Sequence, residues 1–239
     1  MVVLVGLRRS AKVQGWTLTI RPPRVSKLMN YCRYAGLLAE FEVGPPPEAH
    51  SDNATTPVRA FTQELPLAAI NEVVMLAKSQ MELSRTAQDD LTLVLTELTQ
   101  NVLDHAESPI GGLISARAYR NVRDVRFAVA DYGIGIRQTL GRRFDLGTDK
   151  AAIRRAFQEE VTSGSSARNL GLGLAHLHGI VRVTHGRMVV YSARGYLRHD
   201  NGKDSFGSAD VPFPGTIAFV RLPARQIDAE ESEVTDIWK

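Results

Sequence analysis

The stretch "ELTQNVLDHA" (residues 97–106) sets Glu97, Asn101 and His105 at four-residue spacing inside a run whose other residues have the apolar periodicity of a helix. At about 100° per residue, Leu91, Leu95, Leu98 and Val102 form one core-facing stripe, and the acid, amide and imidazole form a second line along its flank. Such a line fits a helix that makes one wall of a binding site. It equally fits a solvated helix edge, because Glu-x-x-x-Asn pairs arise often by composition. The flanking segments decide between the two.

Downstream, "VRFAVADYGIGI" (125–136) alternates like a strand and ends in Asp131, with Gly133 and Gly135 just beyond. A strand-end acid can accept a hydrogen bond from the amino group of a flat heterocycle, and alternate glycines let the backbone approach a ligand or take positive φ. Further on, "SGSSARNLGLGLAHLHGIV" (163–181) opens a helix at Gly171 and Gly173, where free backbone N–H groups can meet an anion. The pattern G-x-x-x-x-G-K-[ST] occurs nowhere, and Ala175 and His176 stand where a Rossmann glycine would be needed. A Walker site and a dinucleotide fingerprint are thereby excluded.

Glu97-x-x-x-Asn101 on a helix, Asp131-x-Gly133-x-Gly135 after a strand and Gly171-Leu172-Gly173-Leu174 opening a helix resemble, in order, the N box and the two glycine boxes of the GHKL superfamily. That superfamily includes gyrase B subunits, sensor histidine kinases and anti-sigma-factor serine kinases. "HGRMVVYSARG" and "PGTIAFVRLP" are similar to its two closing strands, so the resemblance spans about residues 85 to 223. It implies the Bergerat fold, an α/β (α+β) sandwich whose mixed, mainly antiparallel sheet carries helices on one face, with ATP and Mg²⁺ as cofactors.

The resemblance also implies roles. Asp131 would accept the adenine amino group, with Thr216 assisting through water, and Gly133 and Gly135 would flank the base. Asn101 would ligate Mg²⁺ through a hard oxygen, and Glu97 would orient or deprotonate the attacking nucleophile. Gly171, Leu172, Gly173 and Leu174 would wrap the phosphates beneath a lid at 141–170, where Lys150, Arg154, Arg155 and Arg168 either reach phosphate or are solvated charges. His105 stands either near the phosphates or as an edge histidine at the helix end. His176 and His178 lie on opposite sides of their helix, a poor metal pair, and receive no role.

The rest of the chain bounds these expectations. The 239 residues are 44% hydrophobic with a formal net charge of +3, an ordinary globular balance. The basic residues form no dense run interleaved with aromatics, which argues against nucleic acid as the main partner. A single cysteine, Cys32, rules out an intrachain disulfide and a thiolate cluster. The apolar opening "MVVLVGL" is too short for a membrane span, so a soluble, cytoplasmic protein is expected.

Residues 1–43 read as a small α-β-α segment: a helix at 2–14, a strand at 17–20 and a helix at 26–42. The strand and second helix are similar to the last strand and helix of a STAS domain. This segment either packs on the ATP domain or pairs with another chain. A proline-rich linker at 44–57 leads to the ATP domain at 58–223 and an acidic tail at 224–239. Within that domain the periodicity predicts helices at 67–80, 86–106, 149–160 and 173–185, and strands at 112–120, 124–133, 187–194 and 216–223.

The upstream His50 sits among prolines, where the long phosphoacceptor helix of a full histidine kinase cannot form. Three functions follow from the resemblance. The chain is a protein kinase of the anti-sigma-factor or histidine-kinase-like type acting on a STAS-type antagonist, sigma factor or response regulator; an ATP-hydrolysing conformational switch; or a nucleotide-sensing module without turnover. Homodimerisation is compatible with each.

Overall fold

Alternating apolar residues organise the domain around one sheet. The computed structural model describes residues 1–45, 54–63, 66–158 and 173–224. Strands β1 (Arg59–Phe61), β2 (Gly112–Tyr119), β3 (Asp124–Asp131), β4 (Arg187–Asp200) and β5 (Lys203–Pro223) form a five-stranded sheet in the order β1-β2-β3-β5-β4. Every pairing among the described residues is antiparallel, where a mixed, mainly antiparallel sheet was expected. Among the described residues the helices are α1 (Val2–Val13), α2 (Ser26–Tyr34), α3 (Leu37–Glu40), α4 (Pro66–Gln80), α5 (Arg85–His105), α6 (Gly135–Gly141), α7 (Asp149–Ala156) and α8 (Gly173–Val183).

One sheet face offers Ile114, Ala116 and Ala118 from β2, Val125, Phe127 and Val129 from β3, and Ala218, Val220 and Leu222 from β5. The period-2 alternation of strand side chains places all of these on one side. Against them pack Ile70 and Val73 of α4, Leu91, Val94, Leu95 and Leu98 of α5, and Leu177 and Val181 of α8. Helix α5 starts where the Ser84 hydroxyl accepts from the Ala87 N–H at 3.2 Å, a side-chain cap that satisfies one free donor of the first turn.

The β2–β3 part of the opposite face is covered by the amino-terminal helices. Val2, Val5, Cys32, Leu37, Leu38 and Phe41 form a second buried cluster with Leu113, Ala130, Tyr132 and Phe213 of the sheet side. The Tyr132 hydroxyl donates to the Val3 carbonyl at 2.5 Å. A Cβ at Gly6 would lie 2.0 Å from the Tyr132 ring, so only glycine allows this approach. The first segment therefore packs onto the domain.

Inside that segment the expected strand at 17–20 does not form. Leu18 is 36% exposed and has no strand beside it, and its carbonyl is taken by the Arg8 guanidinium at 2.6 Å. The segment's only regular elements are helices, with irregular chain at 15–25, and the strand required by a STAS likeness is missing. The expected helix at 26–42 is divided at Gly36, whose φ of 77° lies in the left-handed region.

Two further differences lie at the sheet edges. Strand β1 was not expected, since three residues carry no readable period. The last residues of the expected linker run beside β2, where Ala118 N–H donates to Ala54 O at 2.8 Å and Thr56 N–H to Ala116 O at 2.9 Å. At the other edge, β4 and β5 run past their predicted ends to a two-residue turn at Asn201-Gly202, both with positive φ (51° and 74°). That is the Asn-Gly signature of a tight hairpin. None of the helices among the described residues is long and apolar enough to cross a membrane.

Phe61 is fully buried, and a Cβ on Gly112 would come within 2.1 Å of its ring, so the short β1 is held by its pairing with β2 and by one side chain seated over one glycine. Phe61→Ala is expected to lower the unfolding free energy by about 3–5 kcal/mol in denaturant titration. A loss below about 1 kcal/mol would show that the ring does not anchor this edge.

Candidate functional site

Asp131 closes β3 and is only 3% exposed. Its Oδ1 accepts from the Gly133 N–H at 2.9 Å and from the Thr216 N–H at 3.2 Å. Neither bond uses Oδ2. Burial pushes the carboxyl up from 3.8 to about 6, against the pull of the two backbone N–H groups. The glycines around it are fixed by close packing. A Cβ on Gly215, itself at φ 94°, would lie 2.5 Å from Asp131 Oδ1, and one on Gly133 would lie 1.7 Å from the Ala106 carbonyl at the end of α5.

Ser192, fully internal on β4, ties this corner together. Its hydroxyl donates to the Gly215 carbonyl at 2.9 Å and accepts from the Ile136 N–H at 2.9 Å and the Thr216 hydroxyl at 3.1 Å. One donor and two acceptor sites are all used. The network joins β3, β5, β4 and the start of α6 around Asp131. Ser192 was missed in the sequence, where a lone serine in a strand gives no sign that it is buried; the neighbouring Gly215-Thr216 was the one available hint.

The second wall comes from α5. Leu91, Leu95 and Leu98 are buried and Val102 packs against the same core, so the polar line falls on the flank. Glu97 and Asn101 are half-buried, whereas the His105 side chain is exposed at the last helical residue. Burial raises the Glu97 carboxyl above its ordinary range, and a neighbouring imidazole, His176 of α8, pulls it partly back. Asn101 Nδ2 and His176 Nδ1 are buried and have no hydrogen-bond partner among the described residues. An unsatisfied buried polar atom costs about 1–3 kcal/mol, which favours a ligand that supplies the missing bond. A half-turn of the amide exchanges Oδ1 and Nδ2, so Asn101 can present either a donor or a hard oxygen here.

The structure thus brings Asp131, Gly133, Gly135 and Thr216 into one corner, and Glu97 and Asn101 onto one helix flank facing α8. Gly173 is the first residue of α8, and Leu174 packs against the core. Gly171, Leu172 and Arg168 lie outside the described residues, as does the second half of the expected lid. Two of the other lid cations are engaged: Arg154 stacks on Phe206 and Arg155 on Phe144, at 5.2 and 4.8 Å. His176, given no role in the sequence reading, is the imidazole that faces Glu97.

An antiparallel sheet backed by α4, α5 and α8, with a buried strand-end acid beside a polar helix flank, defines an α+β ATP-binding domain of the GHKL type. The sequence matches the family described as histidine kinase-, DNA gyrase B-, and HSP90-like ATPase over residues 86–226, and the chain belongs to that family. A search of curated proteins finds no match to the chain. Residues 1–85, including the amino-terminal helices, β1 and α4, precede the matched region.

The raised Asp131 pKa fixes the sign of a stability effect. The folded state keeps this proton to higher pH than the unfolded chain, so the resulting stabilisation is full below about pH 4 and is lost as pH rises through about 6. About two pKa units correspond to about 3 kcal/mol. Asp131→Asn should therefore gain on the wild type by up to about 3 kcal/mol between pH 4 and pH 7, measured by denaturant unfolding at each pH. A difference that stays constant with pH would show that Asp131 ionises normally.

Proposed function

We propose that this chain is a Mg²⁺-dependent ATP:protein kinase of the anti-sigma-factor or histidine-kinase-like type, acting in the cytoplasm on a partner protein. What chiefly supports a transferase over a passive binder is Glu97. It is a half-buried acid with a raised pKa, on the same helix flank as Asn101, whose amide nitrogen has no partner among the described residues, and opposite His176. A carboxylate whose pKa is raised by burial is a stronger base than a free one.

In this reading Asp131 Oδ2 accepts from the adenine amino group, while Oδ1 stays on Gly133 and Thr216. The Ser192 network keeps that carboxylate fixed, and Gly135 and Gly215 allow Ser192 and Asp131 the close approach that sets its position. Asn101 holds Mg²⁺ through its side-chain oxygen, and the ion supplies charge neutralisation to the phosphates. The Gly171-Leu172-Gly173-Leu174 run cradles the phosphates at the start of α8, and an exposed His105 takes no part. Glu97 takes the proton of the acceptor hydroxyl as its oxygen bonds to the γ-phosphorus and the bond to the β-phosphate oxygen breaks, releasing ADP. The acceptor is a partner of the STAS-antagonist, sigma-factor or response-regulator kind.

Labelled γ-phosphate incubated with the chain, Mg²⁺ and such partners is expected to appear on protein. Glu97→Ala should abolish transfer while nucleotide affinity stays within about threefold, and Asp131→Ala should weaken affinity by roughly 10–100-fold, read by calorimetry. Phosphate release without phosphoprotein would instead identify an ATP-driven switch. Nucleotide binding with neither product would leave a sensing module. An Asp131→Ala affinity equal to the wild type's would overturn the site itself.

A further inference from the structure

Beyond the nucleotide site, three potential metal ligands converge where the β4–β5 hairpin meets α8. His178 comes from α8, and His199 and Asp204 are direct cross-strand partners flanking the Asn201-Gly202 turn. His199 is 1% exposed. His178 Nε2 lies 3.4 Å from His199 Nδ1 and 2.9 Å from Asp204 Oδ1, and His199 Nδ1 lies 2.6 Å from the same oxygen. Two imidazole nitrogens and one carboxylate oxygen thus point at a common spot.

We propose that His178, His199 and Asp204 form a three-ligand site for Zn²⁺ that staples the hairpin tip to α8. Ligand atoms on a tetrahedral zinc ion at about 2.0–2.1 Å stand roughly 3.3 Å apart. The nitrogen–nitrogen separation already matches, and the two nitrogen–oxygen separations need to widen by less than an ångström. Two nitrogens and an oxygen suit zinc, whereas Mg²⁺ takes oxygen ligands, so this site is chemically distinct from one at Asn101. Three protein ligands leave the fourth position to water.

The location gives the ion a task. A two-stranded hairpin standing alone is marginal in water. This one gains support where Gly195 packs on the Asp149 carbonyl at the start of α7, a contact that leaves no room for a Cβ. A metal bond from both strands to α8 fixes the far end too. Because α8 begins at Gly173 and carries His176, the staple also holds the helix that faces Glu97.

The test uses the full chain, freed of metal by chelator and titrated with Zn²⁺ against a chromophoric competitor, with the melting temperature recorded alongside. One equivalent should bind and raise the melting temperature. His178→Ala and Asp204→Ala should each weaken binding by more than the roughly 10–100-fold typical of losing an outer-shell partner, and should lose the thermal shift. His185→Ala, an exposed histidine just beyond the same helix, should bind as the wild type does. Circular dichroism confirms that each variant is folded, and Asp204→Ala alters a half-exposed side chain and so keeps the test open if His178→Ala unfolds. No zinc on the wild type would mean that the three groups are only a hydrogen-bonded trio and would overturn the proposal. Equal affinity in both ligand variants would do the same.

Discussion

The carboxylate of Asp131, buried at the end of β3 and gripped through one oxygen by Gly133 and Thr216, is the constraint on which the rest of the site depends. An acid so placed resists ionisation, and two backbone N–H groups only partly offset its burial. The fold tolerates this because three elements meet there with glycine at each close approach. Gly133 is pressed against the end of α5, Gly135 against Ser192, and Gly215 against Asp131 itself. A side chain at any of them would move the carboxylate. The local cost makes Asp131 a candidate for ligand contact.

Strands β2 and β3 are largely buried on both sides, whereas β4 and β5 leave Val189 and Phe219 exposed, and this shapes the chain around Asp131. β2 is almost continuously buried, so it cannot show the simple in-and-out pattern of a half-exposed strand. The amino-terminal helices are what its second face requires. Leu113, Ala130 and Tyr132 would otherwise lie open, and α1 meets them through Val2, Val5 and the close approach at Gly6. Residues before the family match are thus part of the same packed structure. The far end of the β4–β5 hairpin, by contrast, relies on contacts with α7 and α8 beyond the sheet's own ladder.

Much of this was legible in the residues. The 3.6-residue apolar stripe of α5 located its buried face correctly, and the strand alternation around Phe127 and Val220 gave the central sheet. The Asp131 motif was readable because its parts are neighbours in sequence. Other features were hidden for physical reasons. β1 is too short to show a period and is held by its pairing with β2 and by the buried Phe61. The strand expected at 17–20 has the right composition, but strands exist by pairing and no strand lies beside it among the described residues. The Asn201-Gly202 turn was a local signal that went unread, and with it the extension of both strands.

Sequence by itself determined the local and short-range terms: which helix faces are apolar, where chain breaks fall, and which acid follows which strand. These follow from backbone geometry and side-chain period, which act over a few residues. Only the tertiary structure decided which distant groups meet. Ser192 reaches Gly215 and Thr216, His176 reaches Glu97, and His178 finds its partners in His199 and Asp204 and not in its helical neighbour. Those meetings depend on how the sheet twists and packs as a whole, a property of no single segment, and on burial, which sets the ionisation of Asp131 and Glu97 only once the chain has folded around them.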